Sequence, residues 1–204
     1  PTKKFLQSYE YYENYIKIKD HLLKKVNKNE LKNIIKVILI AVKKQRNIFS
    51  CGNGGSASTA EHLSCDFSKQ ACTDTNLNIK AFSLNSNVSL MTAIANDISY
   101  DDIFSFQLNR FGKPNDILLL FSVSGSSKNI LKCAKVAKRK KIKIISFTGF
   151  DGGRIKRLSK YSINFSTNNF GIAEDCHLSI MHFISQYIRN VNLKSNKKMI
   201  DISF

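Results

Sequence analysis

The sequence has only two prolines in 204 residues, no internal repeat, and no long stretch of glycine, serine and proline that would form a linker. It also lacks any run of about 18 uncharged apolar residues, the length that a membrane-spanning helix needs. The longest apolar helical run, residues 34–42, is interrupted by Lys36. These absences argue against a membrane span. The chain length suits one α/β domain with a full core.

An unbroken apolar leader is missing as well, since Gln7, Glu10 and Glu13 fall where the core of a signal peptide would lie. The five cysteines are odd in number, irregularly spaced and without a Cys-x-x-Cys pair. This spacing argues against a disulfide framework and against a cysteine zinc site, and buried reduced thiols are the simpler interpretation. Both features predict a cytoplasmic protein.

Acidic residues are scarce, because 15 Asp+Glu stand against 32 Lys+Arg and leave a formal net charge of +17. Such an excess favours either nucleic acid or anionic substrates as partners. The basic runs are short, scattered and not interleaved with aromatic residues. Lysines solvated on the surface explain this composition more simply, so we expect no nucleic-acid role.

Apolar residues at helical spacing predict two helices, over residues 5–27 and 30–45, before the first strand. Strands and helices then alternate as far as the last predicted helix. This alternation predicts an α/β three-layer sandwich, in which helices flank a mostly parallel central sheet. We therefore divide the chain into an N-terminal helical arm (residues 1–46), an α/β domain (residues 47–194) and a C-terminal tail (residues 195–204).

One strand-to-helix loop, residues 51–58, has the sequence Cys-Gly-Asn-Gly-Gly-Ser-Ala-Ser and opens a helix predicted over residues 57–69. Glycines let the backbone approach a ligand closely, and a helix start offers free N–H groups and a positive dipole end. The loop lacks the Lys-Ser or Lys-Thr of a nucleotide-binding P-loop, and it is not Gly-x-Gly-x-x-Gly. It therefore predicts an anion site, to which Ser56 adds a hydroxyl.

A second loop, residues 121–129, follows a strongly apolar strand and also opens a helix. Four serine hydroxyls fall within residues 122–127, and such neutral donors suit a phosphate monoester. A serine-rich turn with a helix cap explains one such loop equally well. Because right-handed crossovers place all these loops along one sheet edge, the occurrence of two favours phosphate binding.

Acid–base candidates flank these loops. His62 and Asp66 are four residues apart on the helix after the first loop, so they share one face. The last predicted helix, residues 172–191, carries Glu174, His177 and His182. Alone, the first pair is typical of a surface ion pair and a single helical histidine is typical of a core residue. Two histidines with carboxylates beside a phosphate pocket indicate an acid–base or metal site.

Together, these segments resemble the phosphoheptose isomerase branch of the sugar-isomerase (SIS) domain family. Residues 52–56 and 122–127 are similar to its Gly-Asn-Gly-Gly-Ser and Ser-x-Ser-Gly-x-Ser loops. Residues 92–97 resemble its Ala-Ile-Gly-Asn-Asp segment, and residues 147–153 resemble its Leu-Thr-Gly-x-x-Gly-Gly turn.

The resemblance implies the flavodoxin-like SIS fold and an aldose–ketose isomerase that converts sedoheptulose 7-phosphate to D-glycero-D-manno-heptose 7-phosphate. That reaction belongs to bacterial heptose biosynthesis for lipopolysaccharide or capsule precursors. The resemblance also implies a homotetramer whose sites draw residues from adjacent subunits.

The resemblance also assigns roles to individual residues. It implies that Asp66 is the base at C1 and C2 of the sugar and that His182 is its acid–base partner. A Zn²⁺ cofactor would be held by His62, Asp66, Glu174 and His182. The implied substrate-binding residues are Asn53, Gly54, Gly55, Ser56, Asn96, Asp97, Ser122, Ser124, Ser127 and Glu174.

The chain departs from the family pattern at three positions. Asp66 replaces a glutamate and is one methylene shorter, Glu174 replaces a glutamine and adds charge, and Val123 replaces a threonine in the second loop.

Two alternatives stay open. One is a non-catalytic SIS protein that binds a partner, either a replication-initiator-associated factor, a DNA-linked regulator or a sugar-phosphate sensor. The other is an isomerase of a different sugar phosphate, since the loops indicate phosphate and not carbon count.

Overall fold

The structure, a computed structural model, describes residues 7–194. Phe5 of the first predicted helix and the predicted tail, residues 195–204, lie outside the described residues. Within the described range, no helix combines the length and the hydropathy needed to cross a membrane. The α-helices are α1 (Ser8–Lys24), α2 (Lys28–Lys43), α3 (Gly55–Cys65), α4 (Val88–Asp97), α5 (Ser105–Phe111), α6 (Lys128–Arg139), α7 (Gly153–Leu158) and α8 (Phe170–Asn190). The strands are β1 (Asn47–Cys51), β2 (Lys80–Ser83), β3 (Ile117–Ser122), β4 (Lys143–Thr148) and β5 (Tyr161–Asn164).

The five strands form one sheet in the order β2-β1-β3-β4-β5, and every neighbouring pair is parallel. Along this order the connections run in one direction from β1 to β2 and in the other from β3 to β5. The carboxyl ends of β1 and β3 therefore lie side by side at a topological switch point, the position at which open α/β sheets bind ligands. The predicted α/β three-layer sandwich with N-terminal helices is confirmed.

The sheet separates two apolar cores, which the central strand β3 shows most clearly. Ile117, Leu119 and Phe121 face the core closed by α2, α3 and α8, whereas Leu118 and Leu120 face the core closed by α4 to α7. A strand that is buried on both faces has to be apolar at every position, which explains the continuous run of leucine and isoleucine. The two cores hold the sheet from both sides, and the strand-to-helix loops extend from the carboxyl ends of its strands.

The two N-terminal helices differ in their relation to the core. Ile34 and Ile38 of α2 are buried in the first core, whereas α1 has no buried residue. The outer helix is attached to α8 by a hydrogen bond from the Tyr15 hydroxyl to Asp175 (2.9 Å). Burial, together with this bond to a carboxylate, raises the pKa of Tyr15 to about 12. The inner helix is therefore part of the domain core, and the outer one lies against its surface.

The helix predicted over residues 57–69 changes its winding within that range. After Cys65 the α-helix gives way to one turn of π-helix, Asp66–Gln70, closed by a hydrogen bond from the Ala71 N–H to the Asp66 carbonyl (2.8 Å). Turns of this wider kind are found disproportionately at functional sites. The position is notable because Asp66 is a candidate catalytic residue.

Candidate active site

The first loop, between β1 and α3, is held by a buried amide that sequence analysis missed. Asn85 donates from Nδ2 to the Gly52 carbonyl (2.9 Å) and accepts at Oδ1 from the Gly52 N–H (3.2 Å). Gly54 adopts a left-handed φ of +56°, which glycine takes without steric cost. A Cβ atom at Gly52 would collide with the backbone carbonyl of Ser56. The loop is therefore a closely packed backbone turn that leads directly into the N-terminus of α3.

The second loop, between β3 and α6, rests on the turn between β4 and α7. The Ile155 N–H donates to the carbonyl of Gly125 (2.9 Å), which has a φ of +58°. A Cβ atom at Gly125 would collide with the carbonyl of Gly152. The glycines within residues 147–153 resemble the family's Gly-x-x-Gly-Gly turn, and they let the two loop backbones approach each other. The contact holds the serine-rich loop in position.

Between the two loops and the start of α8 lies a cavity of about 280 Å³, which we call the anion cavity. Three helix N-termini, those of α3, α6 and α8, contribute to its wall, so positive dipole ends surround it. Such a wall suits the phosphate group of a sugar phosphate. The lining residues are Asn53, Gly54, Gly55, Ser56, Phe121, Ser122, Val123, Ser124, Ser127, Phe170 and Glu174.

Asn53 is fixed in place by a second amide. Its Nδ2 donates to Asn129 Oδ1 (3.0 Å), and Asn129 Nδ2 donates back to Asn53 Oδ1 (2.8 Å). The hydroxyl of Tyr100 donates to the same Asn53 oxygen (3.2 Å). Neither Asn129 nor Tyr100 was predicted, although a polar residue on the buried face of α6 was a signal for the first. The network leaves the Asn53 amide with a defined orientation at the cavity rim.

Two predicted substrate-binding residues are not brought to the anion cavity. Asn96 and Asp97 are exposed in the last turn of α4, where Asn96 Nδ2 donates to Asp97 Oδ1 (2.8 Å). Neither residue lines the cavity. The last turn of α4 faces solvent, and Tyr100, three residues farther along the chain, reaches Asn53 instead.

His62, Asp66 and His182 meet in a group that we call the histidine–carboxylate cluster. The Nε2 atoms of the two histidines are 3.1 Å apart, and His62 Nε2 lies 3.4 Å from Asp66 Oδ1. His182 Nε2 lies 3.9 Å from Asp66 Oδ2, and one ligand atom from each residue falls within 4.8 Å of the others. The imidazoles are 49% and 36% exposed, whereas the Asp66 side chain is 11% exposed. The cluster is therefore open to solvent on its histidine side and closed behind the carboxylate.

The donor set of this cluster fits a zinc ion. Zinc bonds of about 2.0–2.1 Å in a tetrahedral arrangement place neighbouring ligand atoms about 3.3 Å apart. The separations of 3.1 and 3.4 Å are close to that value, and the 3.9 Å between His182 Nε2 and Asp66 Oδ2 is longer. Two imidazoles and a carboxylate leave one tetrahedral position open, as catalytic zinc sites do.

Glu174, the predicted fourth ligand, is not a member of this cluster. Its carboxylate lies in the anion cavity, where the Ser56 hydroxyl donates to it in a long hydrogen bond (3.4 Å) and where a Cβ atom at Gly55 would collide with it. Eight residues of α-helix separate Glu174 from His182, which is about 12 Å along the axis. Among the described residues, three of the four predicted ligands are therefore brought together, and Glu174 lies on the cavity side.

His177, the other histidine of α8, belongs to the core and not to the site. It is fully buried among Phe121, Phe147 and Phe165. Burial lowers the pKa of His177 to about 4, and the Thr148 backbone opposes this effect only in part. In the described part of the chain, neither ring nitrogen has a partner that meets hydrogen-bond geometry. The ring is therefore a neutral core residue at ordinary pH.

Comparison with known proteins extends over most of the chain. The family model described as "SIS domain" matches residues 10–149. A phosphoheptose isomerase of Helicobacter pylori is 34% identical over 78% of this chain and 82% of its own length. Among solved structures, a phosphoheptose isomerase from Neisseria gonorrhoeae is 27% identical, with a TM-score of 0.79 over 87% of this chain and 94% of that one. Another, from Francisella tularensis, is 25% identical, with a TM-score of 0.81 over 89% and 95%.

Proposed function

The chain belongs to the phosphoheptose isomerase family of SIS-domain proteins, and from this premise we propose that it interconverts sedoheptulose 7-phosphate and D-glycero-D-manno-heptose 7-phosphate. An aldose–ketose isomerisation moves a proton between C1 and C2 through an enediolate, so it needs a base, an acid–base partner and an anchor for the phosphate. The observation that carries the proposal is the meeting of Asp66 with His62 and His182, on helices that also border the anion cavity.

In this proposal the anion cavity binds the phosphate end of the sugar. The hydroxyls of Ser56, Ser122, Ser124 and Ser127 and the N–H groups at the three helix starts are its donors. The Asn53 amide and the Glu174 carboxylate meet sugar hydroxyls, since both line the cavity beside the donors. Asn96 and Asp97 remain proposed sugar contacts, and they require a sugar that extends beyond the cavity rim.

The chemistry is assigned to the histidine–carboxylate cluster. Asp66 removes a proton from C1 or C2 and returns it to the neighbouring carbon, while His182 transfers a proton between O1 and O2. No electrons leave the sugar, because oxidation at one carbon balances reduction at the other. His62, 3.4 Å from Asp66, orients the carboxylate from the solvent side.

We propose that a Zn²⁺ ion is held by His62, Asp66 and His182. When bound, it polarises the sugar carbonyl and lowers the barrier to proton removal from the adjacent carbon. Asp66 has two carboxylate oxygens, so ligation through one leaves the second available to accept the proton. Glu174 is reserved for the sugar in this assignment, because its carboxylate lies at Ser56.

A cytoplasmic homotetramer is the proposed form of the protein. Its support is a groove of about 610 Å³ between α1, α2 and α8 that is lined mostly by apolar residues. Phe183 and Tyr187 stack on each other there, with ring centroids 5.9 Å apart, and both are more than 40% exposed. Apolar surface of this kind on two neighbouring helices suits a symmetric contact with a second copy. The five cysteines are free thiols, the state that a reducing compartment maintains.

The proposal is tested by incubating the purified protein with sedoheptulose 7-phosphate in D₂O, with and without a chelator, and following the product by NMR. We expect conversion to the aldose with deuterium at C2, and loss of conversion after chelation that added Zn²⁺ restores. Light scattering on a sizing column then measures the mass of the assembly.

The alternatives predict other outcomes in the same assay. Recovery of the unlabelled substrate under all conditions would favour the non-catalytic binding protein. Faster conversion of another sugar phosphate would keep the isomerase and change its substrate.

A further inference from the structure

Behind the carboxylate of Asp66 lies a buried hydroxyl that the proposed mechanism does not use. Ser185 is 0% exposed in the middle of α8, and its Oγ lies 3.2 Å from Asp66 Oδ2. The same oxygen lies 3.2 Å from Gln70 Oε1 and 3.0 Å from the His182 carbonyl. One serine hydroxyl therefore connects both helices of the histidine–carboxylate cluster, across 119 residues of sequence.

The Ser185 hydroxyl has one proton and three acceptors within reach. An ionised carboxylate is a stronger acceptor than an amide or a backbone carbonyl, so the proton goes to Asp66. The oxygen and nitrogen of a glutamine amide are assigned from their hydrogen bonds. Turning the Gln70 amide makes Nε2 a donor to Ser185 Oγ, so the hydroxyl accepts one hydrogen bond and donates another. The result is a directed chain, from the Gln70 amide to the Ser185 hydroxyl to Asp66 Oδ2.

The local winding of both helices brings these three side chains together. Asp66 and Gln70 are the first and last residues of the π-helical turn. Ser185 follows His182 by three residues on α8, so the hydroxyl and the imidazole lie on neighbouring positions of one helix face. Ser185 uses one lone pair of Oδ2, which also lies 3.9 Å from His182 Nε2, and Oδ1 is the oxygen that faces His62 at 3.4 Å.

We propose that Ser185, supported by Gln70, is a positioning residue that fixes the Asp66 carboxylate for its role in the histidine–carboxylate cluster. The inference rests on the proposed function. Aspartate has a short side chain, so its oxygens reach the sugar or an ion only if the carboxylate is held at one angle. Partners of this kind behind a metal ligand typically change metal affinity by about 10- to 100-fold when removed.

The test compares Ser185→Ala with Ser179→Ala, a matched loss of a hydroxyl from the same helix. Ser179 Oγ donates to the Asp175 carbonyl (2.7 Å) and not to a residue of the cluster. Zn²⁺ affinity is measured by competition with a chromophoric chelator, and kcat and KM are measured with sedoheptulose 7-phosphate. We expect Ser185→Ala to weaken Zn²⁺ binding about 10- to 100-fold and to lower kcat at nearly constant KM, with Ser179→Ala close to wild type.

Gln70→Glu provides a second variant that does not remove Ser185. A carboxylate at that position has no donor, so it competes with Asp66 for the serine proton. We expect Gln70→Glu to weaken Zn²⁺ binding and to lower kcat, each by less than Ser185→Ala does. The melting temperature of the metal-free protein should not change.

Equal Zn²⁺ affinity and equal kcat in Ser185→Ala and Ser179→Ala would overturn the inference. If the wild type binds Zn²⁺ but isomerises nothing, the proposed function fails, and the affinity comparison still decides the role of Ser185. If the wild type isomerises the sugar without a metal, the comparison of kcat between Ser185→Ala and Ser179→Ala decides the role of Ser185. A wild type that does neither overturns both proposals.

Discussion

The anion cavity and the histidine–carboxylate cluster are neighbours, yet they are built from different parts of the chain. The cavity is made of loop backbone, helix N-termini and serine hydroxyls, and most of its donors are neutral. The cluster consists of three ionisable side chains that project from two helices. Neutral donors hold an anion without changing their own protonation state, whereas the proposed chemistry of the cluster depends on protonation. In the proposed mechanism, recognition therefore belongs to the loops and proton transfer to the helices.

The two regions should therefore fail in different ways when they are mutated. Loss of a contact that is equal in ground state and transition state raises KM, whereas loss of an interaction made only in the transition state lowers kcat. The division breaks down if a cavity variant lowers kcat selectively or if a cluster variant changes only KM.

Asp66→Asn should have the largest effect. It removes the proposed base while keeping the size of the side chain and an oxygen for Ser185, so we expect kcat to fall about 10²–10⁴-fold. The measurement is turnover of sedoheptulose 7-phosphate, with the melting temperature as a check on folding. Asp20→Asn is the matched control, because Asp20 pairs with Lys24 on the surface of α1 (2.7 Å), on a different helix from the cluster. Turnover retained in Asp66→Asn would remove the base from the mechanism.

His177 sharpens the comparison, since it is a histidine of α8 that belongs to neither region. Its pKa of about 4 in the folded protein lies below the ordinary value. Between those two values the unfolded chain binds a proton that the folded chain does not. The contribution of His177 to the free energy of unfolding is therefore full above about pH 6.5. It is lost as the pH falls toward 4, by about 3 kcal/mol in all.

Urea unfolding of the wild type and of His177→Phe, over a series of pH values, checks this sign. Phenylalanine does not titrate, and it suits the surrounding aromatic cage. The stability difference between the two proteins should shift in favour of the variant as the pH falls. A difference that does not change with pH would mean that His177 is solvated or paired in the folded state.

A pair of glycine variants separates backbone from side-chain packing in the first loop. Gly52→Ala would press a methyl group on the Ser56 carbonyl, which α3 holds in place, and should cost about 1–3 kcal/mol of stability. Gly55→Ala meets only the end of the Glu174 side chain, which is free to rotate. We expect a smaller change in melting temperature for Gly55→Ala, and the reverse order would contradict the description of this loop.

The smallest effects belong to single hydroxyls of the second loop. Ser124→Ala and Ser127→Ala should each raise KM by about 5-fold, equivalent to about 1 kcal/mol, with kcat unchanged. Ser126→Ala is the control, because Ser126 is an exposed serine of the same loop that does not line the anion cavity. An equal KM for all three variants would place the phosphate elsewhere.

The loops could be predicted from sequence because their structure is local. Glycines that adopt positive φ and serines at helix starts have the same meaning wherever such a turn occurs, so residues 52–56 and 122–127 were recognisable as anion loops. The parallel sheet flanked by helices followed from the alternation of elements, which the family resemblance supported. The roles of the individual site residues remain proposals.

The parts that could not be predicted depend on contacts between distant segments. Asn85 and Ser185 act on Gly52 and Asp66, which lie 33 and 119 residues away, and no periodicity encodes such pairs. Ser185 gave only a faint signal, as a lone hydroxyl among the buried positions of α8. Glu174 lies in the anion cavity and not in the cluster, because the resemblance supplied a residue type at that position and not the direction of its side chain.

The place of α8 at the end of the fold has a consequence for synthesis. A nascent chain that has reached residue 149 already contains both anion loops and four of the five strands, and this is the extent of the SIS family match. It has Asp66 and His62 but not His182 or Ser185, so it holds a scaffold for phosphate without its reaction partners. In the proposed mechanism, the two phosphate loops are therefore synthesised before the reaction partners on the final helix, and turnover requires that helix to dock.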